Sequence, residues 1–240
     1  MRIILTTICL CFTLMSCKEL QQIASNIEKE VSKATTQGGL SNIDIVSGLK
    51  AALEQGTGKS VSALGVNGGF SNSIYKVVFP PEAQKAADKL RQLGMGKLVD
   101  DFESKLNKAA EQAVPAARDI FINAVKGMSI SDAKNILMGS NNAATKYFES
   151  KTRQKLINAF NPKVSSVLNS SGTTKYWTDI TSRYNKIPGV SKVNTDLSRY
   201  TTDKILTALF DKISKEELAI RQNPAQRTSD ILKKVFAAQD

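Results

Sequence analysis

Apolar side chains recur at helical spacing along almost the whole chain. The longest series holds one face of a helix for about seven turns and consists of Leu98, Phe102, Leu106, Ala109, Ala113, Ala117, Ile120 and Ala124. Pro115 lies inside this series, and its missing N–H predicts a bend there. Shorter series predict further helices near 44–55, 61–66, 81–93, 131–138, 142–160, 163–171, 174–186, 195–213, 214–222 and 225–238.

Loop and strand signals are few. The segment GVNGGFSNS at 65–73 is rich in Gly and Asn and predicts a loop. The one β-like run, IYKVVFPP at 74–81, ends in two prolines and has no partner strand, so it predicts an extended connector. The pattern therefore predicts an all-α fold, a single compact domain of about eight to ten helices over residues 43–240, without significant sheet.

The stretch EQGTGKS at 54–60 ends in Gly-Lys-Ser, as a phosphate-binding P-loop does. A P-loop also needs an earlier glycine, where Leu53 stands in this chain, and a preceding buried strand. We therefore expect no nucleotide site. Gly56 and Gly58 are interpreted as the end of one helix and a break before the next.

The N-terminus, MRIILTTICLCFTLMSC, has the layout of a secretory signal. Its apolar run of about a dozen residues is too short to span a bilayer. Leu14-Met15-Ser16-Cys17 resembles the lipobox of bacterial lipoproteins, which predicts a signal peptide at 1–16, lipid on Cys17, and a tether with a short amphipathic helix at 17–42. The alternative is an ordinary signal peptide with a cysteine that carries no lipid.

A lipid anchor predicts a location in the cell envelope. Lys18 follows Cys17, where an Asp would favour retention at the inner membrane, so the outer membrane is expected and its leaflet stays open. The formal net charge is +11, and residues 121–240 carry 19 basic and 10 acidic groups. That half could face anionic lipid or another envelope protein. It could equally be a solvated helical surface, and we expect no nucleic-acid partner because no recognition motif is present.

Composition narrows the chemistry. The chain has no histidine, and its three cysteines, Cys9, Cys11 and Cys17, all lie in the leader or at the lipid site. Histidine is the commonest general base and metal ligand, so its absence argues against most acid–base and metal chemistry. We expect no cofactor and no metal site.

Five segments resemble one bacterial family, the domain of unknown function family 4197. They are GLKAALEQGTGKSVSALGVNGGFSNS, FPPEAQKAADKLRQLGMGKLVDDFESKLNKAAEQAVPAARDIF, AVKGMSISDAKNIL, AATKYFESKT and EELAIRQNPAQRTSDILKKVFA, and together they cover about Ile45–Ala237. The resemblance implies a helical domain that is exported and often lipid-anchored in Gram-negative bacteria. It implies no known activity.

Asn107, Glu111 and Arg118 form a predicted polar line beside the long apolar series. Asn107 and Glu111 match the N-x-A-A-E segment of the family. Glu111 is either a binding or acid–base carboxylate between helices, or a partly buried carboxylate bonded to a basic residue.

Two further segments supply candidate residues. Thr145 and Tyr147 place hydroxyl groups near a helix start, as ligand contacts or as parts of a tight helix–helix contact. Glu217 and Arg221 form an i, i+4 ion pair, and Arg227 and Asp230 can bond the end of the preceding helix. The arginines either bind a carboxylate or phosphate, or the four charges satisfy one another at a structural corner.

The pattern favours a non-catalytic protein that binds a ligand between helices or docks a partner. The alternatives are a carboxylate-dependent hydrolase acting on a cell-wall glycan and a purely structural subunit. A hydrolase requires two close carboxyl groups, one with a raised pKa. A carrier requires an apolar cavity, and a docking protein an exposed apolar patch.

Overall fold

The computed structural model describes residues 40–237, apart from Ile187, Val190, Ser191 and Thr195. The predicted signal peptide, Cys17 and nearly all of the tether lie outside the described residues. The α-helices are α1 Asn42–Leu64, α2 Gln84–Gln92, α3 Gly96–Ala113, α4 Ala117–Lys126, α5 Ile130–Leu137, α6 Ala143–Ser170, α7 Thr173–Tyr184, α8 Leu197–Gln222 and α9 Asp230–Ala237. Short 3₁₀ turns lie at Pro81–Ala83, Val114–Ala116 and Pro224–Gln226.

The predicted fold class is confirmed. Within the described residues there are nine α-helices and no strand. The described residues from Asn42 onward form one compact unit. The expected connector also has no regular structure over 76–80. None of the described helices has the length and apolar content needed to cross a membrane.

The prediction that α1 ends at Gly56 was wrong. Helix α1 continues to Leu64, because Gly56 packs against α8, where an added Cβ would lie 3.4 Å from Glu216 Cβ. The Ser60 hydroxyl donates to the carbonyl of Gly56 at 2.7 Å, and Lys59 pairs with Glu216 at 3.3 Å. Gly-Lys-Ser thus lies within a helix, and its backbone amides form helical hydrogen bonds instead of a phosphate-binding loop.

Pro115 ends the long helix, where the sequence predicted only a bend. Helix α3 ends at Ala113, the 3₁₀ turn Val114–Ala116 follows, and α4 begins at Ala117. Pro115 also packs near Gly65, where an added Cβ would meet its ring at 3.2 Å. The alanines of α3 nearest the break are fully buried, so neighbouring helices can approach closely.

Two predicted helix boundaries, at Pro162 and near residue 213, were wrong. Helix α6 continues through Pro162 to Ser170, and α8 runs unbroken from Leu197 to Gln222. A proline inside a helix costs about 3 kcal/mol. Burial recovers about 1.5–3 kcal/mol for each large apolar side chain, and α6 fully buries four on one face, at Leu156, Phe160, Val164 and Leu168.

Helices α6 and α8 pack together most extensively and form the centre of the fold. Helix α1 packs across α8, and α9 packs on α1, where an added Cβ at Gly48 would lie only 2.5 Å from Val235 Cγ2. The predicted helix at 225–238 is in fact a 3₁₀ turn followed by α9, which begins at Asp230. Helix α5 is capped by Ser129, which forms a capping box with Asp132.

Candidate functional site

A groove of about 800 Å³ opens between the connector, α2, α3 and α7. This volume lies within the range of small-molecule sites. Its walls are mostly apolar, and their main side chains are Phe79, Leu90, Leu98, Val99, Phe102, Tyr176, Trp177 and Val193.

Three aromatic rings from separate elements meet in this groove. The centroids of Phe79 and Phe102 are 4.4 Å apart, and those of Phe102 and Trp177 are 5.5 Å apart. Trp177 is only 4% exposed, and its indole N–H donates to the carbonyl of Asn194 at 3.0 Å. The polar end of the indole is therefore satisfied, and its ring forms part of the groove wall.

The connector is held by hydrogen bonds to its backbone. Asn107 accepts from the N–H of Val77 at 2.8 Å and donates to its carbonyl at 2.9 Å. The Tyr200 hydroxyl donates to the carbonyl of Val78 at 3.1 Å. Burial, with a smaller contribution from nearby carboxylates, raises the pKa of Tyr200 to about 12, so the hydroxyl remains a donor. These contacts place Phe79 in the groove.

Glu103 was missed among the sequence candidates. Its buried carboxylate lies 2.8 Å from Lys76 Nζ and 3.6 Å from an Arg91 guanidinium nitrogen, so it links the connector and α2 to α3. A signal was present, because Glu103 stands one turn before Asn107 on the same face of α3.

The groove presents two cationic side chains, Lys85 and Lys105. Lys105 Nζ donates to the backbone carbonyl of Ser171 at 3.4 Å. No carboxylate oxygen of the described residues lies within the 4.0 Å ion-pair distance of either ammonium group. Asp101, also on the groove wall, is paired with Lys97 at 2.8 Å. The two lysines can therefore pair with an anionic group beside the apolar walls, which also carry the carboxylate of Glu82.

Parts of the apolar wall are open to solvent. The exposed fraction is 60% for Leu98 and 69% for Tyr176. Helix α2 packs mainly on α3 and on its own 3₁₀ turn, so this side of the groove has little covering structure within the described residues.

Glu111 and Arg118 do not form the predicted line. Glu111 Oε1 accepts hydrogen bonds from the N–H of Phe70 and from the N–H and hydroxyl of Ser71, at 3.1–3.2 Å. Arg118 is exposed on α4. The 3₁₀ turn between them advances about 120° per residue instead of 100°, so its three residues rotate α4 by about 60° relative to a continuous helix.

Thr145, Glu217 and Arg221 meet in what we call the Glu217 cluster. The Glu217 carboxylate accepts from the N–H of Ala144 at 3.0 Å and from the N–H and hydroxyl of Thr145 at 2.8 Å. Arg221 bonds Glu217 at 3.0 Å and donates to the carbonyls of Ile136 and Leu137. The anion thus lies at the start of α6 and the cation at the end of α5, as helix dipoles favour.

The remaining candidates have different surroundings. Arg227 is buried and donates to the carbonyls of Ile220 and Arg221, so it does bond the end of α8. Asp230 does not, because its side chain is fully exposed at the start of α9. The half-buried Tyr147 hydroxyl donates a hydrogen bond to Asp132 at 3.4 Å. Burial, followed by the charge of Asp132 and this hydrogen bond, raises the pKa of Tyr147. Hydrogen bonds from Ser129 lower the pKa of Asp132. No group of metal-binding side chains occurs among the described residues.

These features define an all-α domain with an open, mostly apolar groove and a separate, fully paired polar cluster. The chain belongs to the family described as protein of unknown function (DUF4197), whose family model matches residues 39–237. No curated protein and no solved structure matches the chain.

Proposed function

We propose that this is a lipid-anchored protein of the cell envelope whose helical domain binds an acyl-chain amphiphile without catalysis. The observation that carries the proposal is the apolar groove of about 800 Å³ with the Phe79, Phe102 and Trp177 rings in its wall. An acyl chain suits this groove because its walls offer apolar surface and few polar groups that would need hydrogen-bond partners.

The expected affinity follows from burial. Each methylene removed from water contributes about 0.8 kcal/mol, so ten buried methylenes supply about 8 kcal/mol before the costs of association. Lys85 and Lys105 offer an anionic head group, such as a carboxylate or phosphate, an ionic contact beside the chain.

The N-terminus supports the location. Lipid on Cys17 would hold the domain at a membrane, with the outer membrane favoured by Lys18, and would place the groove close to its ligands. Metabolic labelling with an acyl analogue tests the anchor: the native chain should incorporate label, and a Cys17→Ala variant should not. Label that persists in the variant would contradict the anchor while leaving the groove untouched.

The hydrolase alternative has less support. Two carboxyl groups, Asp132 and Asp211, have lowered pKa values, because hydrogen bonds from Ser129 and Lys215 respectively stabilise the charged form. A general acid on a glycan bond needs the opposite shift. Buried Glu217 is bonded to two backbone amides and a guanidinium, which suits a structural role.

The sharpest test uses the single tryptophan of the chain, Trp177, which lines the groove. A chain of residues 18–240 keeps the whole compact unit and lacks the acylated cysteine. We expect 9,10-dibromostearate to quench its fluorescence, because bromine quenches tryptophan at contact, and unbrominated stearate to compete with this quenching. Native mass spectrometry of the same chain from a bacterial periplasm would identify a ligand that co-purifies.

A pair of matched variants locates the site. Leu98→Asp introduces a charge at an exposed groove position and should weaken binding about tenfold with little effect on folding. Met138→Asp introduces the same charge at an apolar residue that is 82% exposed outside the groove, and should leave binding unchanged. Equal effects of the two variants, or no quenching in the unaltered chain, would overturn the proposal. If no lipid quenches Trp177 and a cross-linker placed at position 98 captures another protein, the result would instead favour partner docking.

A further inference from the structure

A second cleft lies nearer the C-terminal end of α3, between the loop at 65–73 and the 3₁₀ turn at Pro115. It encloses about 410 Å³ and is polar, in contrast to the groove. Its lining residues include Asn67, Ser71, Ser104, Lys108, Glu111 and Gln112. Ser104, Lys108 and Gln112 stand four residues apart on α3, so they form one row along the cleft.

The carboxylate of Glu111 is fixed in this cleft. The residue is only 7% exposed, and three donors from Phe70 and Ser71 hold its Oε1. Within the described residues, Oε2 accepts no hydrogen bond. Oε2 is also in contact with solvent. Among the described residues, one fully buried side-chain polar atom lacks a hydrogen-bond partner, and that atom is Thr174 Oγ1. Glu111 lines the cleft, and Oε2 is its carboxylate oxygen without a hydrogen-bond donor among the described residues.

The charges around the cleft are complementary to a small zwitterion. No ammonium or guanidinium nitrogen of the described residues lies within 4.0 Å of the Glu111 carboxylate. Lys108 is exposed, lines the same cleft and has no carboxylate within that distance among the described residues. A ligand carrying both an ammonium and a carboxylate group would pair both side chains, and the hydroxyl and amide groups nearby would bind its remaining polar atoms.

We propose that this cleft binds a free amino acid or the end of a short peptide, with the ligand ammonium on Glu111 Oε2 and its carboxylate on Lys108. The site is separate from the apolar groove, and neither depends on the other. Its size limits the ligand to about one or two residues, because it lies near the lower end of the volumes of small-molecule sites.

The test is saturation-transfer NMR on the full-length chain in dodecyl maltoside micelles, with alanine as the ligand. We expect alanine to bind with a dissociation constant of about 1 mM. N-acetylalanine lacks the ammonium charge and alaninamide lacks the carboxylate, so each should bind about tenfold more weakly.

Three variants assign the contacts. Glu111→Gln keeps an oxygen for the Phe70 and Ser71 amides and should weaken alanine binding about tenfold. Lys108→Met should make alanine and alaninamide equal in affinity. Lys134→Met, an exposed lysine on α5, should change nothing.

The proposal fails if alanine gives no transfer signal, if N-acetylalanine or alaninamide binds as well as alanine, or if folded Glu111→Gln binds alanine normally. Circular dichroism establishes folding. If Glu111→Gln does not fold, the Lys108→Met comparison decides, because that side chain is exposed and contributes no hydrogen bond to the loop at 65–73.

Discussion

The Glu217 cluster and the apolar groove represent opposite ways of using side chains in one domain. In the cluster, the charged side chains of Glu217 and Arg221 are 8% and 7% exposed and are bonded to each other and to backbone groups of two helices. In the groove, Leu98 and Tyr176 leave more than half of their surface in water.

The comparison shows where binding is plausible and where it is not. Groups that already satisfy one another have nothing left to offer a ligand, and replacing them with a ligand would leave buried charge unpaired. Exposed apolar surface loses its contact with water only when something covers it. The contacts of the cluster therefore suit a role in stability, although its residues were sequence candidates for binding, and the groove is where we propose that a ligand binds.

The largest predicted effect breaks the Glu217 cluster. Glu217→Ala leaves Arg221 and the first amides of α6 without their carboxylate, and should lower the free energy of unfolding by about 3–5 kcal/mol. Urea denaturation followed by circular dichroism measures this. Glu149→Ala, which removes an exposed ion pair with Arg153, should cost no more than about 0.5 kcal/mol. Similar losses for the two variants would contradict a structural role for the cluster.

A second prediction links packing to the groove. Asn107→Ala leaves the buried N–H and carbonyl of Val77 without partners, which should cost about 2 kcal/mol of stability. Because the same bonds hold the connector that carries Phe79, quenching of Trp177 by dibromostearate should also weaken in the folded variant. Normal quenching would mean that the connector contributes little to binding.

A third prediction concerns two glycines of α1. Gly48→Ala places a methyl group 2.5 Å from Val235 and should cost about 1–2 kcal/mol, because α9 has to move. Gly58→Ala meets no atom within 4 Å and should raise stability by up to about 1 kcal/mol, since alanine favours the helix. Thermal unfolding compares the two, and a gain for Gly48→Ala would disprove the close packing of α1 and α9.

A fourth prediction concerns a pH dependence at the groove. The pKa of Tyr200 is raised to about 12 from its usual 10.0, so the folded state retains this proton at pH values where the unfolded chain loses it. The contribution of Tyr200 to stability is therefore complete below pH 10.0 and decreases as the pH rises towards about 12. Urea denaturation across this window should show a shallower decline for Tyr200→Phe, and equal slopes would refute the assignment.

The helix breakers in the sequence had different outcomes. Pro115 did end a helix, whereas Gly56 and Pro162 did not. Local propensity predicts a bend at Pro115 and helix ends at Gly56 and Pro162. Only packing distinguishes them. Gly56 lies against α8, and α6 buries Phe160 just before the exposed Pro162 and Val164 just after it.

The candidate sites show the same division. The sequence indicated Glu217 and Thr145 separately, and it could not pair them because they are 72 residues apart. The groove was not predicted, because Phe102 belongs to an apolar series that reads as core, and Trp177 stands alone in a polar segment. Their meeting depends on how α3 and α7 pack around the connector.

The amino-acid sequence by itself determined the all-α class, the family and most of the helices, because helical periodicity is a local property that neighbouring residues carry together. Only the tertiary structure decided which breakers end a helix, which charges are paired and where apolar surface stays open. Those outcomes depend on contacts between residues far apart in the chain, and burial energies of several kcal/mol override local preferences of about 1 kcal/mol.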